Sequence, residues 1–321
     1  MKKSVKIWLM TAGLLVIIGA LMVTSAACSV NGDFSKLGMV TYERNTYEVG
    51  EEFHNVSIYT DTADIRFIRS EGEACKVVCD EREKVKYSVS VEEGTLSIAL
   101  MDEREWFDYI GISFQTPVVN VYLPKTEYGA LLIEESTGDI EIPDVFQFES
   151  MDVSVSTGNV TSRASASGDV KIKTSTGDIH VENVTAKAMD LFVSTGKVTA
   201  SKVVCEDMTV GVSTGDAYLS DISCQSFTSM GSTGDIALKN VIVSEKCSIE
   251  RSTGDVKFEG FDAVEITITT DTGDVTGALL TGKDFEVETD TGSVKVPQDS
   301  EGGKCEITTD TGDINITIKA E

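Results

Sequence analysis

Three triplets, Asp271-Thr272-Gly273, Asp290-Thr291-Gly292 and Asp310-Thr311-Gly312, spell the sequence that carries the carboxylates of aspartic proteases, and Ser293 extends the second. That chemistry needs two carboxylates sharing one proton across two distinct lobes. Here the triplet is a variant of a Ser-Thr-Gly unit that occurs seven times before it, so it reads as a turn and not as half of a dyad. The residue after each glycine is mostly acidic: Asp139, Asn159, Asp178, Lys197, Asp216, Asp235, Asp255, Asp274, Ser293 and Asp313. Two roles compete for that row. Calcium would use Asp271, Asp274, Asp290, Asp310 and Asp313, yet calcium takes six to eight oxygens, and the repeat is not the GGxGxD nonapeptide of calcium β-rolls. The plainer role is support of the turn by accepting backbone N–H groups. Stacked about 4.8 Å apart, neighbouring carboxylates would repel by about 1 kcal/mol in water, a cost that Asn159, Lys197 and Ser293 relieve by interrupting the row.

The remaining reactive side chains assemble nothing. His54 and His180 stand far apart without recurring neighbours and read as surface imidazoles. Cys75 and Cys79 lie too far apart on one strand to bond each other, and no CxxC metal or redox pair occurs. Cys205 and Cys224 share one offset in consecutive repeats, so stacking would make a disulfide sterically conceivable. The simpler account is a corner column of small residues with Ala186, Ser244 and Ala263. Cys247 and Cys305 fall in an apolar column as small hydrophobes. Three Asn-x-Ser/Thr matches, at Asn55, Asn183 and Asn315, are frequent by chance in a Thr-rich chain. Cleavage of polysaccharide would need Asp clustered with Arg or Lys on one coil face, and the repeats show no such cluster. No catalytic, cofactor-binding or metal-binding residue is assigned, no cofactor is expected, and the chain reads as a non-enzyme.

What positions these residues is a tenfold recurrence of Thr-Gly at spacings of 19 or 20, with glycines at 138, 158, 177, 196, 215, 234, 254, 273, 292 and 312. A fixed period of this size marks stacked, near-identical units. Seven residues before the glycine the column reads Leu131, Met151, Val170, Met189, Met208, Phe227, Cys247, Ile266, Phe285, Cys305. Five before, it reads Ile133, Val153, Ile172, Leu191, Val210, Ser229, Ile249, Ile268, Val287, Ile307, and two after, Ile140, Val160, Ile179, Val198, Ala217, Ile236, Val256, Val275, Val294, Ile314. Apolar residues two apart are the strand period, and the phase switches at glycine, which is free to take positive φ. The expected fold is an all-β parallel β-solenoid of about ten 19–20-residue coils spanning roughly 50 Å. One coil buries about five apolar side chains, roughly 7–15 kcal/mol, against a backbone ordering cost on the order of 19–38 kcal/mol, so no coil stands alone. A sandwich of short strands is the other reading of strands at this spacing, but sandwich strands are not interchangeable column by column.

Outside the repeats, Val56, Ile58, Ala63, Ile65 and Phe67 reproduce the same offsets, with Thr62-Ala63-Asp64 in place of Thr-Gly-Asp. The register is then lost from about Ser70 to Lys125, where Lys86–Leu100 alternates around Glu93-Gly94, a hairpin signal. Trp106, Phe107 and Tyr109 follow amid charged residues and read as cap or as partner contact. Solenoids need an atypical terminal unit to hide an open end. The expected organisation is a cytoplasmic tail over 1–6, a membrane anchor or signal segment over 7–30, a linker over 31–45, a first coil and hairpin cap over 46–135, and repeats over 136–321. Lys2, Lys3 and Lys6 precede a stretch without charge from Ile7 to Gly32, and basic residues mark the cytoplasmic side. A retained single-pass anchor with the repeats outside the cell is the first expectation. A lipoprotein through Cys28, after Thr24-Ser25-Ala26-Ala27, is the second, although Ser25 stands where Leu is usual, and cleavage after Ala26 or Ala27 is the third. The net charge of −26 becomes −29 once the three lysines are set aside. Such a chain repels nucleic acid and favours cations and cationic peptides.

The Ser-Thr-Gly-Asp repeats, the start at Tyr42–Asp64 and the Trp106–Phe114 segment resemble a bacterial family, common in Firmicutes, that is labelled "putative adhesin" or domain of unknown function. The resemblance covers almost the whole chain. It implies a β-solenoid behind an N-terminal membrane helix, and it carries no catalytic residues to transfer. A similar repeat domain in a daptomycin-sensing surface protein implies roles in envelope stress and contact with cationic peptides. The functional expectation is therefore a cell-surface scaffold or adhesin-like protein with a repetitive acidic face, meeting a surface protein, a glycan or a cationic peptide. The alternative is an envelope-stress component that senses or sequesters cationic antimicrobial peptides.

Overall fold

A computed structural model describes residues 3–29, 41–105, 115–298 and 301–319. The columns of the sequence become ladders of a parallel β-solenoid. Ile172 pairs with Leu191 and Leu191 with Val210 in register, and all three are fully buried. The columns that start two residues after glycine stack equally: Ile179, Val198, Ala217 and Ile236 are successive partners. Between the two ladders each Thr-Gly unit makes a corner. At Gly196 φ is +143°, a backbone that side-chain-bearing residues avoid. A Cβ there would lie 2.0 Å from the carbonyl oxygen of Gly177 on the adjacent rung. The N–H of Gly196 donates to the carbonyl of Thr214 at 3.0 Å, as its equivalents do along the stack. A second corner lies six residues after glycine, where Asn183, Lys202, Asp221, Asn240 and Gly260 all have φ between +53° and +64°. Asn, Asp and Gly tolerate that conformation; Lys202 is the exception.

The rungs do not follow chain order at either end. Thr253, Thr272, Thr311 and Thr291 are successive neighbours, so the chain's last coil, Gly303–Ile318, lies between Val256–Leu279 and Lys283–Lys295. At the amino end the rung built from Thr95–Asp102 and Val118–Leu123 stacks outside Asn55–Arg69. Asn55–Arg69 in turn lies against Glu127–Ile142. Rungs therefore follow chain order only in the middle of the stack. The cause is that matching columns specify equivalent seats, and any rung with the right columns fits any seat.

The hairpin expected around Glu93-Gly94 is present, with Val85–Glu92 and Thr95–Asp102 antiparallel and positive φ at both turn residues. Val85–Glu92 covers the outer edge of the amino-terminal rung, and Cys75–Glu81, itself antiparallel to Glu43–Val49, covers Val118–Leu123. Glu81 fastens this cap. Its Oε1 accepts from the Tyr47 hydroxyl at 2.5 Å and the Tyr87 N–H at 2.7 Å, while Oε2 accepts from Asn45 at 2.5 Å. Burial opposes the charge, but these bonds and Lys86 together hold the carboxyl below its ordinary value. The expected linker ends in strand, since pairing begins at Glu43, and its residues 31–40, like the Trp106-Phe107-Tyr109 cluster, lie outside the described residues.

At the amino terminus a helix runs Lys3–Ser29. Among the described residues no helix is long and apolar enough to cross a membrane, so the expected spanning helix is not carried by the structure. The corner column is also corrected. Cys224 faces Val243, and Val243 faces Ala263; Ser244 is exposed because a register shift after Cys224 accommodates the extra residue of the 20-residue repeat. Cys205 and Cys224 are unbonded, buried thiols.

Candidate functional site

Along the inward column three residues before glycine runs a groove between two outward columns. Its floor is Thr60, Glu135, Val155, Thr174, Val193, Val212 and Gly231. One wall is a row of hydroxyls, Ser136, Ser156, Ser175, Ser194, Ser213, Ser232 and Ser252, all exposed. The other wall reads, rung by rung, Tyr59, Glu134, Ser154, Lys173, Phe192, Gly211, Met230 and Glu250. Eight rungs at the inter-strand spacing give a length of roughly 34 Å, and the groove holds about 820 Å³. Its centre is apolar and cationic. The Phe192 ring leans over Gly211, where a Cβ would come within 2.5 Å of Cδ1. Lys173 Nζ lies 5.4 Å from the centre of that ring, within cation–π range. Met230 is 45% exposed and Tyr59 61%.

A buried ionisable group stands near each end of the floor, Glu135 one rung in from Thr60 and Arg251 one rung beyond Gly231. Glu135 takes the Ala63 N–H on Oε1 at 3.0 Å, and its Oε2 has no hydrogen-bond partner among the described residues. Burial pushes its carboxyl up to about 8 against the pull of that N–H, with Asp64, Asp139 and Asp61 adding to the rise. At the other end Arg251 is buried, and its guanidinium fills the space a side chain at Gly231 would need. Its Nη2 donates to Ser229 Oγ at 2.8 Å, which explains the one hydroxyl in the apolar column of Ile172 and Leu191. Burial lowers the Arg251 pKa, opposed by the charges of Asp216 and Asp235.

The groove was readable in principle. Its two walls are columns four and two residues before glycine, and the pairing of Phe192 with Gly211 and of Gly231 with Arg251 signals a large side chain seated on an empty position. Only the apolar columns draw attention in the sequence, so the hydroxyl column passes as part of the turn.

The acidic row expected after glycine forms, and its role is specific. Asp178 Oδ1 accepts the Lys197 N–H at 2.8 Å, Asp235 Oδ1 the Asp255 N–H at 2.9 Å, and Asp274 Oδ1 the Asp313 N–H at 2.8 Å. Asn159 serves equally, taking the Asp178 N–H at 2.9 Å. Each acceptor thus supports the next rung instead of its own turn. The three Asp-Thr-Gly acids continue the serine row in the order Asp271, Asp310, Asp290, because of the interleaved last coil, and nothing joins two of them as a proton-sharing dyad. Among the described residues no group of three or more His, Cys, Asp or Glu is arranged to hold a metal ion. His54 Nε2 stands 3.4 Å from Glu149, and His180 Nε2 stands 4.0 Å from Glu182 in a different column. Burial raises the thiols of Cys75, Cys79 and Cys305 to about 12.

No curated protein matches the chain. Among solved structures the chain is similar to a "putative lipid binding protein" of Parabacteroides distasonis, with 15% identity, TM-score 0.47, and coverage of 74% of this chain and 96% of that one. It is also similar to a "putative adhesin" of Parabacteroides merdae, with 10% identity, TM-score 0.46, and coverage of 75% and 98%. A third, a "putative adhesin" of Bacteroides fragilis, has 13% identity, TM-score 0.42, and coverage of 87% and 99%. A family model matches residues 53–228 and 206–321, nearly the whole of the described solenoid, and the chain belongs to the Toastrack DUF4097 family.

Proposed function

We propose that the protein is a non-catalytic, adhesin-like binding protein displayed outside the cell, and that its groove holds an extended glycan. The observation that carries this reading is a wall hydroxyl on seven of the eight rungs, facing an apolar centre at Phe192 and Met230. Serine hydroxyls both donate and accept, and ligand sites combine aromatic or apolar contact with a few placed polar groups. A straight groove with one repeating period suits a chain of repeating sugars better than a single small molecule. Export is proposed from the amino-terminal segment. Lys2, Lys3 and Lys6 precede a chargeless stretch, and the helix there exposes Trp8, Met10, Leu14, Leu15, Val16, Ile17 and Leu21. A retained anchor suits these exposed side chains best, with lipidation at Cys28 or cleavage as the other routes to the same surface.

An array of cell-surface glycans probed with the full chain tests the groove. Binding is expected to a subset of polymers, and to be lost when Phe192→Ala and Met230→Ala are combined. Undiminished binding by that variant would remove the groove from consideration.

A second reading is favoured by the net charge of −26 and by rows of exposed carboxylates such as Asp271, Asp310 and Asp290: the protein captures cationic peptides. That reading requires affinity that weakens steeply as salt is raised.

A further inference from the structure

The two ends of the stack are finished differently. At the amino end the outer rung is covered by antiparallel strands. At the carboxy end no described residue adds a strand to the outer rung. Lys283–Thr291, nine residues long, pairs on its inner side with Gly303–Thr311, and no described strand lies on its other edge. That edge presents a row of unpaired backbone N–H and C=O groups, a ready template for another strand. Phe285 and Val287 point inward like their partners Cys305 and Ile307. Those partners are 1% and 0% exposed, whereas Phe285 and Val287 are only half-buried, and Val294 on the same rung is 44% exposed. Among the described residues the end of the apolar core is therefore open.

Between the apolar positions stand Asp284, Glu286, Glu288 and Asp290, all exposed. Among the described residues Glu286 meets a cation, Lys304 Nζ at 3.4 Å. This alternation says what can cover the edge. A second copy would set the acidic row against its own image across an antiparallel pair, and like charges placed opposite each other are destabilising. A strand alternating apolar residues with Lys or Arg meets both needs at once.

We propose that this open edge docks an extended basic segment of another polypeptide. The segment adds one strand through main-chain hydrogen bonds, lays its apolar side chains over Phe285, Val287 and Val294, and sets its cations against Asp284, Glu288 and Asp290. The proposal rests on the cationic-peptide reading for its ligand class and gives that reading a place in the fold; it is independent of the groove.

The test uses the full chain and a labelled, end-blocked nonapeptide of alternating lysine and valine, read by fluorescence anisotropy. Saturable binding of one peptide per chain is expected. Asp284→Lys, Glu288→Lys and Asp290→Lys combined should weaken it at least about tenfold. A control with Glu245→Lys, Glu259→Lys and Glu265→Lys, which changes net charge equally on exposed side positions, should shift it less than about twofold. Methylating alternate backbone nitrogens of the peptide should also weaken binding about tenfold, because added strands bind through the main chain. Equal losses in the two variants, or indifference to methylation, would overturn the edge site while leaving a diffuse acidic face in place. Absence of saturable binding would overturn both.

Discussion

Replacing Glu135 by Gln should stabilise the protein, and only at high pH. Glu135 is 5% exposed, on the inward column between the rungs of Tyr59 and Ser154. Its carboxyl is raised to about 8, chiefly by burial, whereas in the unfolded chain it titrates near its ordinary value of about 4.3. Between those two values the folded protein keeps a proton that the unfolded chain has released. Stability therefore falls as pH rises through that interval and levels off above about 8. Each pH unit corresponds to about 1.4 kcal/mol, which sets an upper bound near 5 kcal/mol across the interval. Water reaching the groove floor lowers the figure, so about 2–5 kcal/mol is expected. Gln preserves an acceptor for the Ala63 N–H and removes the titration. The gap between variant and parent should be smallest near pH 5, widen to about pH 8 and then hold to pH 9, the variant being the more stable. Stacked repeats open locally, so the assay is amide hydrogen exchange of Val56–Tyr59 and Leu131–Val155 at pH 5, 7 and 9, corrected for intrinsic exchange rates. Parallel pH profiles for the two proteins would refute the reasoning.

Three other substitutions probe the remaining devices. Gly196→Ala places a Cβ 2.0 Å from the Gly177 carbonyl at a φ of +143° and should cost more than about 3 kcal/mol, seen as loss of exchange protection in the flanking rungs; unchanged protection would mean that the corner relaxes freely. Glu81→Gln should weaken the amino-terminal cap by about 1–3 kcal/mol at pH 7. Because the folded pKa of Glu81 is lowered, its contribution is present above the unfolded value and fades as pH falls below it, so the two proteins should converge near pH 3 in the same exchange measurement. Asp178→Ala removes the acceptor for the Lys197 N–H and should cost about 1 kcal/mol, while Asp178→Asn should be nearly neutral; equal effects in denaturant melts would show that charge and not acceptance matters.

The middle of the solenoid was legible because one strict column constraint recurs. Ile172, Leu191 and Val210 must share a line once glycine fixes the corner, and they do. The purpose of the acidic row was half legible, since an acceptor of backbone N–H was expected, but only three dimensions reveal that the donor sits on the next rung. The groove was not read because its walls are polar or mixed columns, which carry no periodic hydrophobic signal. Ser229 and Arg251 make the same point: a hydroxyl breaking an apolar line looks like noise until the guanidinium from 22 residues later is seen resting on it. The order of the terminal rungs escaped for a different reason. Columns specify what fits a seat and say nothing about which segment takes it, so counting along the chain misplaces Ser244 and does not reveal the interleaving of the last two coils.

The insertion of Gly303–Ile318 beneath Lys283–Lys295 has a consequence for how the molecule is made and unmade. A nascent chain emerging amino end first finishes 283–295 before the segment that will support it exists. That earlier segment must wait, or lodge provisionally on Ile266–Leu279 and later yield its place. Truncation before Glu301 would delete one coil and strip the berth from a second, and a pull on the carboxy terminus must shear two ladders together instead of peeling a single edge.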